Sequence, residues 1–423
     1  MAFNPLIAAL KANAGKGEDY FENNATVVSY KTGFPVLDYY LGYQINVYDE
    51  NDKLEMSYPS IGIPAGCIVT VVGKPSTGKT TICTQIAANI VRPFISGTVL
   101  HFDLEQSQNY SRLQVLSKFS MSEIKSGKYI LRQEKNSISD IKASIVRLYR
   151  EKIENPDQYL YNTQKKNEFG DDIIIYQPTV VIIDSIASLA TEINENDKKE
   201  RERMEDVSSQ PDRMRLAGEI SRLITEILPL LKAANIIVLM VNQIKSKAQI
   251  GIMPNAADVL YLKQDESLPG GRAPTYYASI LLRFTAIGSE KYTLEDNGFD
   301  GFGTAIDIIK SRSNQAGQRV ELVYDKLRGA DSLRSSIAYA KEAGLVSGNK
   351  NKMYFVNDPN KTYFSLVNVH EDFAADRNLY KLLYDNVLPL LEGRLSKVSE
   401  EELSVIPEEY DYWFRVFMEI IHY

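Results

Sequence analysis

The stretch that decides the fold runs from residue 67 to residue 91 and reads CIVTVVGKPSTGKTTICTQIAANIV. Its first residues, from Cys67 to Val72, are apolar or β-branched, which is typical of a buried strand. Its last residues, from Lys79 to about Val91, predict a helix. Between the two, residues 73–80 match the pattern G-x-x-x-x-G-K-[ST] of a phosphate-binding loop. A strand, a glycine-rich turn and a helix in this order predict an α/β domain that binds a nucleotide.

The chemistry of this loop identifies its cofactors. Glycines let the backbone turn sharply, so that successive N–H groups point at phosphate oxygens, and the following helix adds its positive end. Lys79 is expected to reach the β- and γ-phosphates, and the Thr80 hydroxyl to ligate Mg²⁺. The predicted cofactors are therefore ATP and Mg²⁺. The predicted nucleotide-binding residues are Gly73, Lys74, Pro75, Ser76, Thr77, Gly78, Lys79, Thr80 and Thr81.

Further apolar strands alternate with helical stretches along the chain. Short strands are predicted at residues 98–103, 179–184 and 235–241, which favours a parallel sheet with helices on both faces. Segments at 277–285, 304–310 and 319–324 extend this sheet, with antiparallel pairing expected at one edge. The predicted fold class is α/β, with a mixed, mostly parallel sheet.

Two acidic residues at strand ends are candidates for metal binding and catalysis. Asp184 ends the apolar strand 179–184, and beside a phosphate loop it matches the carboxylate that holds magnesium in P-loop enzymes. Glu105 follows the strand 98–103 at the same predicted sheet edge, where it can orient the attacking water. A helix-capping glutamate would give the same pattern at position 105.

The composition is that of a globular protein without a general affinity for nucleic acid. The chain has 423 residues, 44% of them apolar and 24% charged, and a net charge of −7. This charge has the wrong sign for a basic field, so any contact with DNA must come from a local surface. No apolar run is long enough to span a bilayer, and the N-terminus does not resemble a signal peptide. Cys67 and Cys83 are expected to be buried in a reducing cytoplasm, and the three histidines lack zinc-ligand spacing.

Three regions are predicted along the chain. Residues 1–25 contain a short N-terminal helix and a linker, residues 26–330 the ATPase core, and residues 331–423 a small C-terminal α+β domain with an acidic helical tail. Residues 45–58 are predicted to form a hairpin. Together with residues 153–178, this hairpin is an insertion whose function the sequence does not reveal.

Several motifs resemble the RecA-type recombinase family. The segment VIIDSIASL, ending at Leu189, is similar to the block that carries the magnesium-binding aspartate of RecA, and Asn242-Gln243-Ile244-Lys245 resembles its N-Q-I-[RK] block. Gly270-Gly271-Arg272-Ala273, continuing to Arg283, resembles the block that closes its second DNA-binding loop. The region from Gly301 to Val346 also looks like phage recombinases of the UvsX type. The resemblance covers roughly residues 25 to 350.

The resemblance implies roles for individual residues. Gln243 would sense the γ-phosphate, and Lys310 and Arg312 would reach the ATP of the neighbouring subunit. The predicted catalytic residues are Lys79, Glu105, Gln243, Lys310 and Arg312. Tyr110 would stack on adenine, although its spacing from Glu105 is shorter than in the family and a core tyrosine would fit the pattern as well.

The resemblance also implies partners. The chain would form a homo-oligomeric filament on single-stranded DNA, pair it with duplex DNA, and work with single-strand-binding and mediator proteins in the cytoplasm. Two long segments, residues 191–213 and 244–272, would contact DNA, although a solvated run of charges would explain the first equally well. The predicted DNA-binding residues are Arg201, Arg203, Arg213, Lys245, Lys247, Gly270, Gly271 and Arg272.

Three other functions share part of this pattern. A ring-shaped DNA motor or helicase would have the phosphate loop, Glu105 and Asp184, but lacks the block at residues 270–283. A regulatory relative of RecA would bind ATP with little hydrolysis. A P-loop kinase would leave the two long loops and the Lys310–Arg312 pair unexplained.

Overall fold

The computed structural model describes residues 28–49, 53–134, 137–189, 210–246, 262, 266–287 and 300–395, with the backbone alone for residues 210–213 and 246. The predicted N-terminal helix and linker lie outside the described residues. The last part of the predicted acidic tail, residues 396–423, also lies outside them.

The strands follow one another along the whole described chain. They are β1 (Ser29–Tyr30), β2 (Tyr43–Tyr48), β3 (Leu54–Ser60), β4 (Ile63–Pro64), β5 (Ile68–Gly73), β6 (Thr98–Asp103), β7 (Tyr129–Arg132), β8 (Leu160–Lys166), β9 (Asp172–Tyr176), β10 (Thr179–Asp184), β11 (Ile236–Gln243), β12 (Lys245–Ser246), β13 (Glu266–Ser267), β14 (Ile280–Ile287), β15 (Gly301–Ser311), β16 (Gln318–Asp325), β17 (Gly329–Asp331), β18 (Val346–Asn349), β19 (Lys352–Phe355) and β20 (Tyr363–Phe364).

The helices separate these strands. They are α1 (Pro35–Leu41), α2 (Lys79–Val91), α3 (Tyr110–Ser117), α4 (Met121–Lys125), α5 (Ile138–Glu154), α6 (Pro156–Tyr159), α7 (Gln210–Ala233), α8 (Ala273–Tyr276), α9 (Ser332–Glu342), α10 (Val369–Ala375) and α11 (Asn378–Glu392), with a 3₁₀ turn at Ile186–Ser188.

The central sheet is mixed and mostly parallel, which confirms the predicted fold class. Its nine strands lie in the order β17-β16-β15-β14-β5-β11-β10-β6-β7. The strands from β14 to β7 in this order run parallel to one another, whereas β15, β16 and β17 pair antiparallel at one edge. The sequence did not predict β7, because this edge strand is short and only its first residue, Tyr129, is buried.

The parallel strands are apolar on both faces because helices cover both faces. Along β10, Val180 and Ile182 pack in one hydrophobic cluster with residues of α2, and Val181 and Ile183 pack in another with residues of α5 and α7. All six residues of β10 are buried. This arrangement explains why the sequence shows continuous apolar runs rather than alternation at these strands.

The C-terminal part of the described chain packs directly on the core. β17 ends at Asp331 and α9 begins at the next residue, where the sheet gives way to helices and a small three-stranded sheet, β18-β19-β20. Phe355, Phe373 and Leu383 belong to the same hydrophobic cluster as Leu37 of α1. A domain boundary near residue 331 stays a prediction.

The two insertions form one accessory unit. β2 pairs with β3 as the predicted hairpin, and β8 pairs with β9 as a second antiparallel ribbon. The Tyr58 hydroxyl donates to the carbonyl of Lys166 at 2.5 Å, and the ammonium of Lys165 lies 4.8 Å from the centre of the Tyr58 ring. The backbone of Tyr48 also donates to the carbonyl of Glu168. Segments about a hundred residues apart in sequence are thus joined by a few hydrogen bonds.

None of the helices in the described ranges is long and apolar enough to cross a membrane.

Candidate nucleotide-binding site

The site lies where the carboxyl ends of the parallel strands meet. Register pairs Gln243 of β11 with Gly73 of β5, and Asp184 of β10 with Asp103 of β6. Ligands of open parallel sheets bind at this edge. A cavity of about 410 Å³ opens here. It is lined by Pro75, Ser76, Thr77, Gly78, Lys79, Thr80, Thr81, Glu105, Asp184, Val241, Gln243, Phe302, Tyr324 and Lys326.

The phosphate loop needs its glycines. Gly78 precedes α2 with φ +82°, a conformation that residues with a Cβ rarely adopt. At Gly73 a Cβ would lie 2.7 Å from the carbonyl oxygen of Phe284, so the loop could not pack on β14 with any larger residue. These two positions leave a concave backbone at the N-terminus of α2, the arrangement that binds phosphate oxygens.

Lys79 is held over this backbone. Its ammonium donates to the carbonyl of Lys74 at 2.7 Å and lies 3.4 Å from the Thr77 hydroxyl. The side chain is buried, and burial lowers the pKa of Lys79, while the nearby Asp184 carboxylate opposes the change. A phosphate group would supply the counter-charge that this buried ammonium needs.

A hydroxyl and a carboxylate meet at the position expected for magnesium. Thr80 Oγ1 donates to Asp184 Oδ2 at 2.5 Å. Burial raises the pKa of Asp184 to about 6, and the hydrogen bond from Thr80 works in the opposite direction. A buried carboxylate whose charge is costly is relieved by a cation, and Mg²⁺ prefers oxygen ligands of this kind. The residues present therefore fit the metal.

Glu105 is oriented by two neutral donors. Its Oε1 accepts hydrogen bonds of 2.6 Å from the Ser185 hydroxyl and of 2.6 Å from the Gln243 side-chain amide. Glu105 lines the cavity together with Gln243. Sequence reasoning identified Glu105 and Gln243 but missed Ser185, although its position next to Asp184 at a strand end was a signal that could have found it.

An aromatic wall closes one side of the cavity. Phe302 and Tyr324 stack with ring centroids 4.3 Å apart, and the Tyr324 hydroxyl donates to Thr81 Oγ1 at 2.9 Å. Sequence reasoning missed both aromatics because each is an ordinary strand residue until β15 and β16 pair. Tyr110, the predicted stacking residue, is half exposed and does not line the cavity. Arg112, in the same helix, lies 3.5 Å from the Tyr324 hydroxyl.

Lys310 and Arg312 lie near the amino ends of the parallel strands, at the opposite end of the sheet from the phosphate loop. Lys310 pairs in register with Leu281, which pairs with Thr70, three residues before the loop begins. At about 3.3 Å per residue, this places Lys310 roughly 10 Å or more from its own chain's loop. Its ammonium donates to the carbonyl of Tyr276 at 2.6 Å. The two cations therefore do not belong to the cavity of their own chain.

The structure describes both ends of the second predicted DNA loop, and the first end directly follows Gln243. β12, which starts two residues later, pairs with β13, so the two ends of the loop are joined. Buried Glu266 of β13 forms a 3.0 Å ion pair with Arg283 of β14. The Asn242 amide donates to the carbonyl of Pro269 at 2.9 Å. Lys245 lies at the start of this ribbon, where the chain leaves the described residues.

Gly270 and Gly271 have a packing role that the sequence did not indicate. Both have positive φ, +82° and +74°. A Cβ at Gly270 would lie 2.8 Å from Ile186, and one at Gly271 would lie 2.8 Å from Ala217 of α7. These glycines let the chain cross close to α7, and they are followed by the exposed Arg272.

The remaining predicted DNA-binding residues cannot be placed. Arg201, Arg203 and Lys247 lie outside the described residues, and only the backbone of Arg213 is described.

The strand order of the sheet and the positions of the phosphate loop, the Thr80–Asp184 pair and Glu105 define a class of protein. The chain has a P-loop NTPase core with a RecA-like α/β fold. A family model described as an AAA domain matches residues 61–215. The RecA protein of Laribacter hongkongensis is 25% identical over 276 residues, which are 65% of this chain and 62% of that protein. RecA of Legionella pneumophila strain Corby is 27% identical over 252 residues, 59% of this chain and 56% of that protein.

A third relative, RecA of Caulobacter vibrioides strain NA1000, is 25% identical over 286 residues, 67% of this chain and 65% of that protein. The chain therefore spans less than two thirds of the length of each of these relatives. By these matches and by its motifs, the chain is similar to RecA-type recombinases. The closer likeness to UvsX-type phage recombinases stays a prediction.

Proposed function

We propose that the chain is an ATP-dependent DNA recombinase that assembles as a filament on single-stranded DNA and exchanges strands with duplex DNA. The observation that carries the proposal is the position of Gln243. Its side chain lines the nucleotide cavity and contacts Glu105, and its backbone leads directly into the ribbon that bounds the second loop. One residue thus belongs both to the ATP site and to the candidate DNA-binding segment.

The hydrolytic step uses groups at the cavity. Glu105 orients and deprotonates the attacking water, and Lys79 stabilises the charge on the phosphates. Thr80 and Asp184 would hold Mg²⁺, which would supply positive charge to neutralise the phosphates. The Ser185 and Gln243 donors keep the Glu105 carboxylate in one orientation, which a water-positioning residue requires.

Nucleotide state reaches DNA through the Gln243 side chain. A bound γ-phosphate adds charged acceptors that compete with the Glu105 carboxylate for the Gln243 amide, so binding of ATP shifts this side chain. Because β12 begins two residues later, a shift at Gln243 changes the start of the β12–β13 ribbon. The second loop would then be ordered for DNA when ATP is present.

The catalytic site is completed by a neighbouring subunit. Lys310 and Arg312 lie at the end of the sheet away from their own phosphate loop. Burial lowers the pKa of Lys310, and the positive charge of Arg312 lowers it further. Two nearby cations that lie away from the nucleotide cavity of their own chain suit the phosphates of a neighbour's ATP, as an arginine finger does. Hydrolysis would then depend on filament assembly.

The test is steady-state ATP hydrolysis with and without single-stranded DNA, on the wild type and on Lys310→Ala/Arg312→Ala. We expect strong stimulation by DNA in the wild type, and its loss in the double variant with nucleotide binding retained. Lys341→Ala/Lys381→Ala, which removes two exposed lysines elsewhere, is the matched control. Hydrolysis that is indifferent to DNA, or unaffected by the double substitution, would refute the proposal.

Electron microscopy of the protein with ATP and single-stranded DNA distinguishes the recombinase from a ring motor. An open helical filament is the expected result, and closed rings would contradict it. Strand exchange between a circular single strand and a linear duplex then measures the reaction directly.

A further inference from the structure

A second cavity lies on the far side of α2 from the phosphates. We call it the distal cavity; its volume is about 810 Å³, which is within the range of sites that hold small molecules. Gln85 and Asn89 in the C-terminal half of α2 form one wall, and the end of α3 with the segment up to Phe119 forms another. The loop around Arg328 and the helix α10 complete it.

Two cations reach into the distal cavity without a partner. Lys118 and Arg328 line it, both side chains are exposed there, and neither makes a hydrogen bond or an ion pair with another residue that the structure describes. Lys118 is the C-cap residue directly after α3, and its backbone is left-handed, with φ +55°. Crowding by protein atoms lowers the pKa of Lys118, and the positive charges of Arg92 and Arg328 lower it further, while Asp331 opposes the shift.

The acidic residues at the cavity do not neutralise these cations. Asp331 is already engaged by Arg334 and His370, each at 2.8 Å from Oδ2. Asp38 is buried and accepts a 2.6 Å hydrogen bond from the backbone of Thr32, and burial raises its pKa to about 7.

Two further charged residues line the cavity. Glu371 of α10 is exposed, and Lys31 lies on the wall formed by the segment before α1. Acidic and basic side chains are thus equal in number among the described lining residues, but no described carboxylate forms an ion pair with Lys118 or Arg328.

Part of the lining is apolar and accessible. Val115 of α3 and Ala374 of α10 are exposed at the cavity, whereas Phe34, Leu116 and Phe119 line it but are buried. A volume of about 810 Å³ is far larger than an inorganic phosphate needs. A cationic end and an apolar wall together suit a molecule with an anionic head and a planar or apolar body.

We propose that the distal cavity is a second ligand site, which binds a phosphate-bearing organic molecule through Lys118 and Arg328. The phosphate head binds between these two cations, which gain the counter-charge that the chain does not provide. The body of the molecule packs on the exposed apolar side chains of Val115 and Ala374. No residue of this site belongs to the nucleotide cavity at the phosphate loop.

One short loop connects the two sites. Residues 326–328 join β16 to β17; Lys326 lines the nucleotide cavity and Arg328 lines the distal cavity. Gly329, with φ +87°, follows, and a Cβ there would lie 2.7 Å from the Gln85 side chain. Because Lys326 and Arg328 are only two residues apart in this loop, a ligand that draws Arg328 inward is expected to displace Lys326, so that occupancy of the distal cavity changes the affinity for nucleotide.

The test measures binding of inorganic pyrophosphate by calorimetry in the Lys79→Ala background, which removes the main phosphate contact of the nucleotide cavity. The parent should bind one pyrophosphate, and Lys118→Ala/Arg328→Ala should weaken binding at least about tenfold, since two charge-assisted contacts are lost. Lys118→Gln/Arg328→Gln serves as a second pair with similar side-chain volume. Lys341→Ala/Lys381→Ala is the control and should leave the affinity unchanged.

A second probe tests the apolar wall. Anilinonaphthalene sulfonate, an aromatic anion, should bind the Lys79→Ala protein and be displaced by pyrophosphate. Absence of pyrophosphate binding in the parent, equal affinity in the Lys118/Arg328 variants, or a dye that pyrophosphate does not displace would each overturn the proposal. Binding that appears only after Glu400→Gln/Glu401→Gln/Glu402→Gln would identify the chain's own acidic tail as the occupant and would overturn it as well.

Discussion

The side-chain amide of Gln243 donates a 2.6 Å hydrogen bond to the Glu105 carboxylate, although the two residues are 138 positions apart in sequence. The contact joins the candidate γ-phosphate sensor to the candidate catalytic base. A carboxylate held by two donors keeps its direction, whereas a free glutamate would sample several rotamers.

Replacement of Glu105 by Gln removes the basic carboxylate and keeps the side-chain shape. We expect ATP hydrolysis to fall about 10²- to 10⁴-fold, the usual contribution of a positioned base, with nucleotide binding retained. Steady-state hydrolysis and equilibrium binding of a fluorescent ATP analogue measure the two effects. Glu154→Gln, at an exposed position in α5, is the matched control. Hydrolysis close to the wild-type rate would show that another group orients the water.

Replacement of Ser185 by Ala removes one of the two donors to Glu105. A hydrogen bond to a charged group contributes about 1.5–3 kcal/mol, so kcat should fall roughly ten- to a hundredfold while KM changes little. Ser188→Ala is the control, since the Ser188 hydroxyl lies 3.4 Å from that of Ser185 and makes no described contact with Glu105. A kcat close to that of the wild type would show that Ser185 does not position Glu105.

We expect the stability of the protein to depend on pH through the buried Lys152. Its buried ammonium donates to the carbonyls of Gln177 at 2.7 Å and Ala234 at 2.9 Å, and burial lowers its pKa to about 7. Between pH 7 and about 10 the unfolded chain binds a proton that the folded chain does not, so stability rises with pH in this range. Lys152→Met should remove this rise and should also destabilise the protein by about 1–3 kcal/mol, because buried carbonyls lose their donor.

Urea unfolding of the wild type and of Lys152→Met at several pH values measures the difference between their free energies of unfolding. That difference should increase from pH 7 to pH 10. Lys125→Met, at an exposed position in α4, should show no such trend. A difference that stays constant over this range would mean that Lys152 is protonated throughout.

Asp331 links α9 and α10 to the edge of the sheet. It is buried and accepts from Arg334 and His370, each at 2.8 Å. Burial favours the neutral form, but the hydrogen bond from His370 and the charge of Arg334 together hold the pKa of Asp331 well below its usual range. Asp331→Asn leaves the Arg334 guanidinium buried without its counter-charge and should destabilise the protein by about 3–5 kcal/mol.

The pH dependence of this effect has a defined sign. A depressed aspartate pKa stabilises the fold above the unfolded value of about 3.9 and loses this contribution as the pH falls towards the folded value. The difference in free energy of unfolding between the wild type and Asp331→Asn should therefore shrink below about pH 4. Asp385→Asn, at an exposed position in α11, is the control, and a difference that grows at low pH would contradict this account.

Much of the fold could be predicted because its signals are local. The helix α2 has the predicted bounds, and β6 and β10 begin and end where the apolar runs do. β7 was missed because it is a short edge strand in which only Tyr129 is buried. The accessory unit was read as two unrelated insertions, since the contacts that join it, such as Tyr58 to Lys166, leave no local pattern.

The sequence by itself predicted the phosphate loop, the Thr80 and Asp184 pair, Glu105 and the mixed α/β sheet, and its resemblance to RecA-type recombinases added Gln243. The loop and the strands follow from local patterns, where backbone geometry links pattern to structure. Only the tertiary structure decided that Ser185 holds Glu105, that Phe302 and Tyr324 form one wall, and that Lys310 lies away from its own phosphate loop. These are contacts between distant segments, and they depend on strand order and helix packing rather than on local periodicity.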